Sequence, residues 1–419
     1  MPPENLQENT TFAPRTPAGF ARVGIVGAGT MGRGIAAALM WSGSEVQLFD
    51  SDAKRVNDAI AALPGLYASR LRRGLLSEGD LSHALSRVTG ADRIEGLAAC
   101  DLVIEAVFED LGVKQGLFAA LHDLCPPETV LATNTSTLDV DEIAAAAPTR
   151  TAIGLHFFSP AHVMKLVEVV RLAETGQDVL ERASALMLAS GKSPIVVGNG
   201  PSFVANRMLH RRLREAVLLV ADGADPVDVD RVMREFGFPL GPFEISDLAG
   251  VDVGWRAREE QRRAGNRLAQ PRSWLDLVAE RGRHGQKTGI GIYRYAEGSR
   301  RPEPDPDLRT LIDEAEGRAT ARGSAPDDGE MLRRMMYVVV NEGARIIEEG
   351  IADTAEDIDA IWRLGYGFPS RKIGPMHWAM NEGLDRVLAA VQARHASSGE
   401  PAWDPAPLLI ARAASGQRF

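Results

Sequence analysis

Short apolar runs alternate with helix-length amphipathic segments along the first half of the chain, from Ala21 onward. Four of these runs have the length and composition of buried strands: RVGIVGAG, EVQLFD, DLVIEAV and TVLATNT. Alternation of strands and helices is typical of a parallel sheet that is covered by helices on both faces. The pattern continues as far as KSPIVVGNG and predicts an α/β domain over residues 21–200.

The second half of the chain is dominated by long helical patterns, and part of the pattern occurs twice. The segments that start at Glu215 and Glu342 share, in one order, a Gly after an apolar helix, an apolar-Asp pair, a Gly-Phe-Pro and a Gly-Pro. An internal repeat of this kind indicates related units that bury their apolar faces against each other. We therefore predict two related all-α domains, over residues 201–298 and 331–419, with a linker at 299–330 that contains RRPEPDPD and ARGSAPDDGE.

Composition and charge narrow the possible partners. The 47 basic and 57 acidic side chains give a net charge of −10, which argues against nucleic acid or an anionic membrane as the main partner. Cys100 and Cys125 are the only cysteines, so neither a disulfide framework nor a cysteine-based metal site is expected. Residues 1–20 form a polar segment without an apolar signal core, which predicts a flexible arm and a cytoplasmic protein.

A glycine-rich loop follows the first predicted strand and opens a helix: Gly27, Gly29 and Gly32 fall in the spacing G-x-G-x-x-G. Glycines at this place permit a tight turn and a close approach of the backbone to a pyrophosphate, which the helix N-terminus attracts. Asp50 ends the next strand 18 residues later, where a carboxylate can bind the ribose hydroxyls and would repel a 2′-phosphate. The alternative is a structural turn with a capping Asp, but the context favours a Rossmann-type domain that binds NAD rather than NADP.

The stretch AIGLHFFSPAHVMKLVEVV, residues 152–170, places two apolar runs around a turn. If the runs pair as a hairpin centred on residue 162, His156 and Glu168 lie opposite each other, with Cβ atoms about 5 Å apart. A carboxylate on one ring nitrogen fixes the tautomer and raises the basicity of the other nitrogen. The alternative is a core histidine satisfied by a glutamate. An NAD site on the same sheet favours the catalytic interpretation, because hydride transfer from an alcohol needs a base for the proton. His162, in the turn, is expected to be structural, and no metal-ligand spacing connects it to His156.

These motifs together resemble L-3-hydroxyacyl-CoA dehydrogenases. The resemblance covers roughly residues 20–400 and is carried by GIVGAGTMGRGIA, NTSTLDVDEIA, GLHFFSPAHVMKLVEVV, FVANRML, GFPLGPFEISDLAGVDVGW and GQKTGIGIYRY. The segments HFFSPAHVMK and GYGFPSRKIGPM are most similar to the dehydrogenase half of multifunctional, peroxisomal-type β-oxidation enzymes. The enoyl-CoA hydratase half is not expected here, since the residues before Ala21 are too few to form it.

The resemblance implies an NAD-dependent enzyme that interconverts (3S)-3-hydroxyacyl-CoA and 3-ketoacyl-CoA. It implies catalytic roles for His156 as base, Glu168 as its acidic partner, Ser136 near the 3-oxygen, and Asn206 at the reacting carbonyl. The implied cofactor contacts are Gly27, Gly29, Thr30, Met31, Gly32, Asp50, Glu109 and Lys114. The implied substrate contacts are Ser136, Asn206 and Arg73, the last in place of a lysine for the CoA phosphates.

Departures from the family pattern leave alternatives open. The family usually has Gly at the position of Ser202, and Pro64-Gly65 interrupts a segment that runs as a helix in the family. One alternative is the same chemistry on a specialised β-hydroxyacyl thioester outside fatty-acid β-oxidation. Another is a non-catalytic NAD-binding protein. Because the second repeat would take the place of a partner subunit, a monomer is predicted in preference to a homodimer.

Overall fold

The computed structural model describes residues 19–263, 270–317 and 325–419. The predicted arm, up to residue 18, and the part of the predicted linker at 318–324 lie outside the described residues. The chain divides into two compact units: the first comprises Met1–Arg207 with Ile346–Tyr366, and the second comprises Met208–Arg345 with Gly367–Phe419. No helix among the described residues is long and apolar enough to cross a bilayer.

The first unit is built on one eight-stranded sheet with the order β3-β2-β1-β4-β5-β6-β7-β8. The strands are β1 (Arg22–Val26), β2 (Glu45–Phe49), β3 (Val88–Gly90), β4 (Leu102–Glu105), β5 (Val130–Thr133), β6 (Ala152–Phe157), β7 (Leu166–Arg171) and β8 (Ser193–Gly198). All neighbours pair in parallel except β6 and β7, which are antiparallel. The order of the first six strands is that of a dinucleotide-binding sheet, which confirms the predicted α/β class.

Helices cover this sheet on both faces. They are α1 (Thr30–Leu39), α2 (Ala53–Leu66), α3 (Ala68–Arg72), α4 (Glu78–Leu85), α5 (Leu111–Leu124), α6 (Val140–Ala144) and α7 (Gln177–Ala189), with a 3₁₀ turn at Ile94–Ala99. Pro64 is tolerated in the last turn of α2, because the helix ends two residues later and a new one begins at Ala68. The predicted interruption is therefore present, but it follows the proline rather than coinciding with it.

Alternating strand residues build a separate core on each face of the sheet. Ile25, Leu48 and Ile104 belong to one buried apolar cluster, whereas their strand neighbours Val26 and Val103 belong to the other. Strands buried on both faces appear in a sequence as continuous apolar runs rather than as alternating ones. This packing explains why β1, β4 and β5 were recognisable from their composition alone.

The remaining helices are α8 (Ala205–Ala221), α9 (Pro226–Phe236), α10 (Pro242–Ala249), α11 (Val251–Arg263), α12 (Trp274–Glu280), α13 (Leu308–Ala315), α14 (Asp328–Glu348), α15 (Ala355–Tyr366), α16 (Pro375–Glu382), α17 (Leu384–Ser398) and α18 (Pro407–Ser415). Three short 3₁₀ turns lie among them, at Gln286–Thr288, Ser370–Lys372 and Pro401–Trp403.

The two Gly-Phe-Pro motifs of the internal repeat pack against each other in the second unit. The rings of Phe238 and Phe368 meet edge to face, with centroids 5.4 Å apart. A Cβ on Gly237 would lie 2.7 Å from the Pro369 ring, and a Cβ on Gly367 would lie 2.9 Å from the Pro239 ring. The reciprocal contact shows why both copies keep the same three residues.

One segment of the second repeat belongs to the α/β unit instead. Gly198, the last residue of the edge strand β8, donates a backbone hydrogen bond of 2.7 Å to Ile351 O. Arg171 Nη1 and Nη2, at the end of β7, hold the Asp353 carboxylate at 2.9 and 2.6 Å. The segment Ile346–Tyr366, which includes α15, is thereby fixed to the sheet that carries the predicted site.

Candidate active site

The glycine-rich loop forms an open cradle at the N-terminus of α1. Gly27 has a φ of +103°, which favours glycine, and Gly32 lies so close that a Cβ would be 1.7 Å from Gly27 O. Gly29 is the N-cap residue, and an added Cβ there would meet nothing within 4 Å. The space beside Gly29, at the N-terminus of α1, is therefore open, and a pyrophosphate bound there would meet the first N–H groups of the helix.

Asp50 lies at the carboxyl end of β2, beside this cradle. Its Oδ2 accepts a hydrogen bond of 2.8 Å from Ala28 N, and its Oδ1 accepts one of 3.1 Å from Asp52 N. The carboxylate is thus tied to the loop while it stays partly exposed. Thr30 and Met31 form the first turn of α1 between the glycines. These residues fit an NAD molecule, which would supply the hydride-transfer chemistry.

His156 and Glu168 face each other across the antiparallel pair β6–β7. They are direct register partners, as the symmetric spacing about residue 162 predicted, and His156 Nδ1 lies 2.7 Å from Glu168 Oε2. The histidine is 4% exposed and the glutamate is 0% exposed. The predicted pairing is confirmed, whereas its chemical role stays a prediction.

The contacts of the other Glu168 carboxylate oxygen indicate which group donates in the hydrogen bond between His156 and Glu168. Oε1 accepts hydrogen bonds from Val204 N at 3.2 Å and from Ala205 N at 2.9 Å. A carboxylate that accepts from two N–H groups is also the acceptor for the imidazole, so Nδ1 donates and Nε2 keeps its lone pair. These two N–H groups lie at the start of α8, where they have no helical partner of their own.

The turn before α8 has an unusual backbone. Ser202 and Phe203 have φ values of +59° and +53°, a region that L-residues other than Asn and Asp rarely occupy. The turn brings the two N–H groups to Glu168 and packs the Phe203 ring against His156, with centroids 5.7 Å apart. Gly adopts a positive φ without strain, which gives a physical reason for the Gly that the resemblance implies at the position of Ser202.

Ser136 is held by Glu109. The Glu109 Oε1 accepts from Ser136 N at 2.8 Å, from Ser136 Oγ at 3.2 Å and from Thr135 Oγ1 at 2.7 Å. Burial alone would raise the pKa of the Glu109 carboxyl, but the Lys114 ammonium and the donated hydrogen bonds outweigh it, so this pKa lies below its usual value. Glu109 therefore fixes the Ser136 turn. The predicted contact of Glu109 with the cofactor stays a prediction.

Lys114 lies in a buried ionic cluster beneath this turn. Its Nζ lies 2.8 and 3.0 Å from the two Glu105 oxygens and 3.2 Å from Glu109 Oε2, and its side chain is 1% exposed. Thr133 Oγ1, on the neighbouring strand, also donates to Glu105. Glu105 was not predicted from the sequence, although an acidic residue inside the apolar run DLVIEAV is unusual enough to have indicated it.

Asn206 lies in the first turn of α8, next to Ser136. Its Nδ2 is 3.5 Å from Ser136 O, and its Oδ1 accepts a hydrogen bond of 2.8 Å from Tyr366 Oη. The structure thus brings Ser136, Asn206, His156 and Glu168 together within the first unit. Arg73 lies exposed at the C-terminal end of α3, and its assignment to CoA stays a prediction.

Burial also shifts the pKa of two titratable groups to which the sequence gave no catalytic role. Burial raises the pKa of the Cys100 thiol to about 12, which makes this thiol a poor nucleophile at neutral pH. Burial, together with the nearby charges of Lys192, Arg33 and Arg70, lowers the pKa of His162 to about 4.

Comparisons with known proteins match both halves of the chain to the same protein family. A family model described as "3-hydroxyacyl-CoA dehydrogenase, NAD binding domain" matches residues 22–200. A model of the same family's C-terminal domain matches twice, over residues 203–295 and 329–417. The first match confirms the prediction that NAD is the cofactor, and the double match confirms the internal repeat.

Individual relatives give the same result. A peroxisomal bifunctional enzyme of Danio rerio is 39% identical over 407 residues, which cover 94% of this chain and 56% of that protein. The chain thus spans about half the length of such curated relatives. The crystal structure of 3-hydroxybutyryl-CoA dehydrogenase from Escherichia coli has 29% identity and a TM-score of 0.81, covering 95% of this chain and 99% of the other. The dehydrogenase part of multifunctional enzyme 1 from C. elegans has 30% identity and a TM-score of 0.66, covering 94% and 89%.

Two glycines of the cradle are expected to respond differently to alanine. Gly32→Ala should lower the free energy of unfolding by about 3 kcal/mol, because the new methyl group collides with backbone. Gly29→Ala should leave the unfolding free energy within about 0.5 kcal/mol but weaken NADH binding about tenfold, because the methyl group enters the space kept for the pyrophosphate. Thermal unfolding and NADH fluorescence titration measure the two effects. Unchanged NADH affinity in Gly29→Ala would contradict the assignment of this space to the cofactor.

The left-handed turn predicts a stabilising substitution. Ser202→Gly should raise the free energy of unfolding by about 1 kcal/mol, because Gly adopts a positive φ without the cost that a side chain incurs. Denaturant unfolding of the two proteins measures this difference. Ser190→Gly is the matched control, since Ser190 is also buried but has no positive φ. A loss of stability in Ser202→Gly similar to that of the control would refute the strain.

Proposed function

Because the chain belongs to the 3-hydroxyacyl-CoA dehydrogenase family, we propose that it is an NAD-dependent oxidoreductase that interconverts a (3S)-3-hydroxyacyl-CoA and the corresponding 3-ketoacyl-CoA. The observation that carries the proposal is the buried pair of His156 and Glu168, with Nδ1 and Oε2 2.7 Å apart, beside Ser136 and Asn206. A base oriented by a carboxylate is the group that oxidation of a secondary alcohol requires.

His156 is the proposed general base and acid. In the direction of oxidation its Nε2 takes the proton of the 3-hydroxyl group, and in the direction of reduction it returns a proton to the 3-oxygen. Glu168 stabilises the imidazolium, since the carboxylate already accepts the Nδ1–H. The carboxylate does not move in this step, because two backbone N–H groups hold its other oxygen.

Ser136 and Asn206 are proposed to orient the acyl group. Asn206 Nδ2 has a second hydrogen besides the one that faces Ser136 O, and it can donate this hydrogen to the 3-oxygen or the thioester carbonyl. The Ser136 hydroxyl donates to Glu109 at 3.2 Å and has to turn from it to donate to the substrate. Because Glu109 binds both the backbone N–H and the hydroxyl group of Ser136, this turn is preorganised before substrate arrives. NAD, bound over the loop from Gly27 to Gly32, supplies the hydride acceptor.

Several finer properties also belong to this proposal. Relatives are named as peroxisomal and as fatty acid beta-oxidation proteins, so the same pathway is proposed here, while the predicted cytoplasmic location stays a prediction. The domain boundaries and the monomeric state stay predictions as well. Ser202 favours one second candidate: it is buried four residues before Asn206, where a side chain in place of Gly can alter which acyl group fits.

The direct test is oxidation of NADH with a panel of 3-ketoacyl-CoAs of increasing length and branching. We expect turnover by the wild type and a fall in kcat of about 100-fold or more in His156→Gln, with the Kd for NADH unchanged, because the variant loses only the proton transfer. Efficient turnover of acetoacetyl-CoA would argue against a specialised thioester. If the wild type bound NADH but oxidised it with no member of the panel, the protein would be a non-catalytic NAD-binding protein.

A further inference from the structure

Tyr366 is the last residue of α15 and reaches the site from the second helical repeat. It hydrogen-bonds to Asn206 and also contacts a ring beside the base: the centroids of Tyr366 and Phe158 are 6.2 Å apart, at an interplanar angle of 86°. The Phe158 ring in turn lies 4.4 Å from the imidazole of His156. A residue 160 positions away from Asn206 thus belongs to the wall of the proposed site.

The direction of the hydrogen bond determines how the Asn206 side chain is oriented. Asn206 Nδ2 faces the carbonyl oxygen of Ser136 at 3.5 Å, so this end of the amide is the donor. The other end, Oδ1, is an acceptor and receives the phenol O–H at 2.8 Å. A flip of the amide by about 180° would place Oδ1 against the Ser136 carbonyl oxygen and Nδ2 against the phenol. The side of the amide that faces the site would then present an acceptor in place of a donor.

The element that carries Tyr366 is firmly attached to the sheet. The segment Ile346–Tyr366 accepts a hydrogen bond from β8 at Ile351 O, and its Asp353 forms a bidentate ion pair with Arg171 at the end of β7. Trp362, one helical turn before Tyr366, is fully buried and packs edge-on against the tyrosine ring at 5.5 Å. The phenol oxygen is therefore placed by packed structure rather than by an exposed loop.

The internal repeat supplies a natural comparison. Tyr366 directly precedes the Gly-Phe-Pro of the second copy, and Phe236 directly precedes that of the first. Phe236 packs among aromatic rings, with the Phe368 and Trp378 centroids 5.8 and 5.5 Å away. Tyr366, which reaches Asn206, has a hydroxyl group, whereas Phe236, which packs among aromatic rings, has none.

We propose that Tyr366 is a positioning residue of the active site: its hydroxyl group holds the Asn206 carboxamide so that Nδ2 is presented to the carbonyl oxygen of the acyl substrate. The inference rests on the proposed function. Without the phenol, the amide loses the shorter of its two hydrogen bonds and keeps the 3.5 Å contact of Nδ2 with Ser136 O, so the carboxamide is held less firmly against rotation. The second repeat thereby contributes to substrate positioning in addition to packing.

The test is Tyr366→Phe, which removes the hydroxyl group and keeps the ring. We expect kcat/KM for the 3-ketoacyl-CoA to fall about tenfold, the effect of losing one net hydrogen bond, while the Kd for NADH and the melting temperature stay near those of the wild type. Tyr67→Phe is the matched control: Tyr67 is a buried tyrosine of the same unit whose hydroxyl donates to Ala37 O at 2.7 Å, and its kcat/KM should be unchanged.

A double-mutant cycle with Asn206→Ala separates positioning from general support. If Tyr366 acts through Asn206, Tyr366→Phe should cause no further loss of kcat/KM in the Asn206→Ala background. Equal losses in both backgrounds, wild-type kcat/KM in Tyr366→Phe, or a parallel loss of NADH affinity would each overturn the inference. Failure of the wild type itself to oxidise NADH with any 3-ketoacyl-CoA would instead refute the proposed function, and the inference with it.

Discussion

The antiparallel pairing of β6 with β7 is the constraint on which the rest of the site depends. All other strands of the sheet pair in parallel, and the single reversal sets His156 opposite Glu168 in a fully buried position. A carboxylate without exposure needs every lone pair satisfied, since an unpaired buried charge costs several kcal/mol. One oxygen is satisfied by the imidazole. The other accepts from two N–H groups at the start of α8.

This requirement explains the strained turn and its consequences. To aim the N–H groups of Val204 and Ala205 at Glu168, the chain passes through two consecutive left-handed residues. Residues in such conformations persist where surrounding structure fixes them, and they are common at functional sites. The same turn sets the beginning of α8 and therefore the place of Asn206. A second ionic group fixes Ser136: the buried pair of Glu105 and Lys114 holds the partly exposed Glu109, which accepts the Ser136 N–H.

Much of this arrangement could be predicted from local patterns. The apolar runs gave the strands because both faces of the sheet are buried, and equal spacing from the turn gave the register of His156 and Glu168. The short strand β3 was not predicted, since three residues carry too little periodicity. Pro64 was expected to disturb α2, and the interruption was displaced because a proline in the last turn removes few helical hydrogen bonds.

Polar contacts between residues far apart in the chain could not be predicted from the sequence. Glu109 was assigned to the cofactor, but its bonds to the Ser136 turn connect residues 27 positions apart. Tyr366 was recognisable only as part of a repeat, since the phenol meets Asn206 through packing of α15 on the sheet. Ser202 was identified as a departure from the family pattern, and only the backbone angle gave the physical reason.

The most direct test of the central claim is the tautomer of His156, measured by NMR of protein labelled with ¹⁵N in histidine at neutral pH. The account predicts a proton on Nδ1 and an unprotonated Nε2 in the wild type, and a mixture of tautomers in Glu168→Gln, because a carboxamide no longer fixes the donor. An Nε2–H tautomer of His156 in the wild type would contradict it, since that nitrogen could not then accept the proton of the substrate.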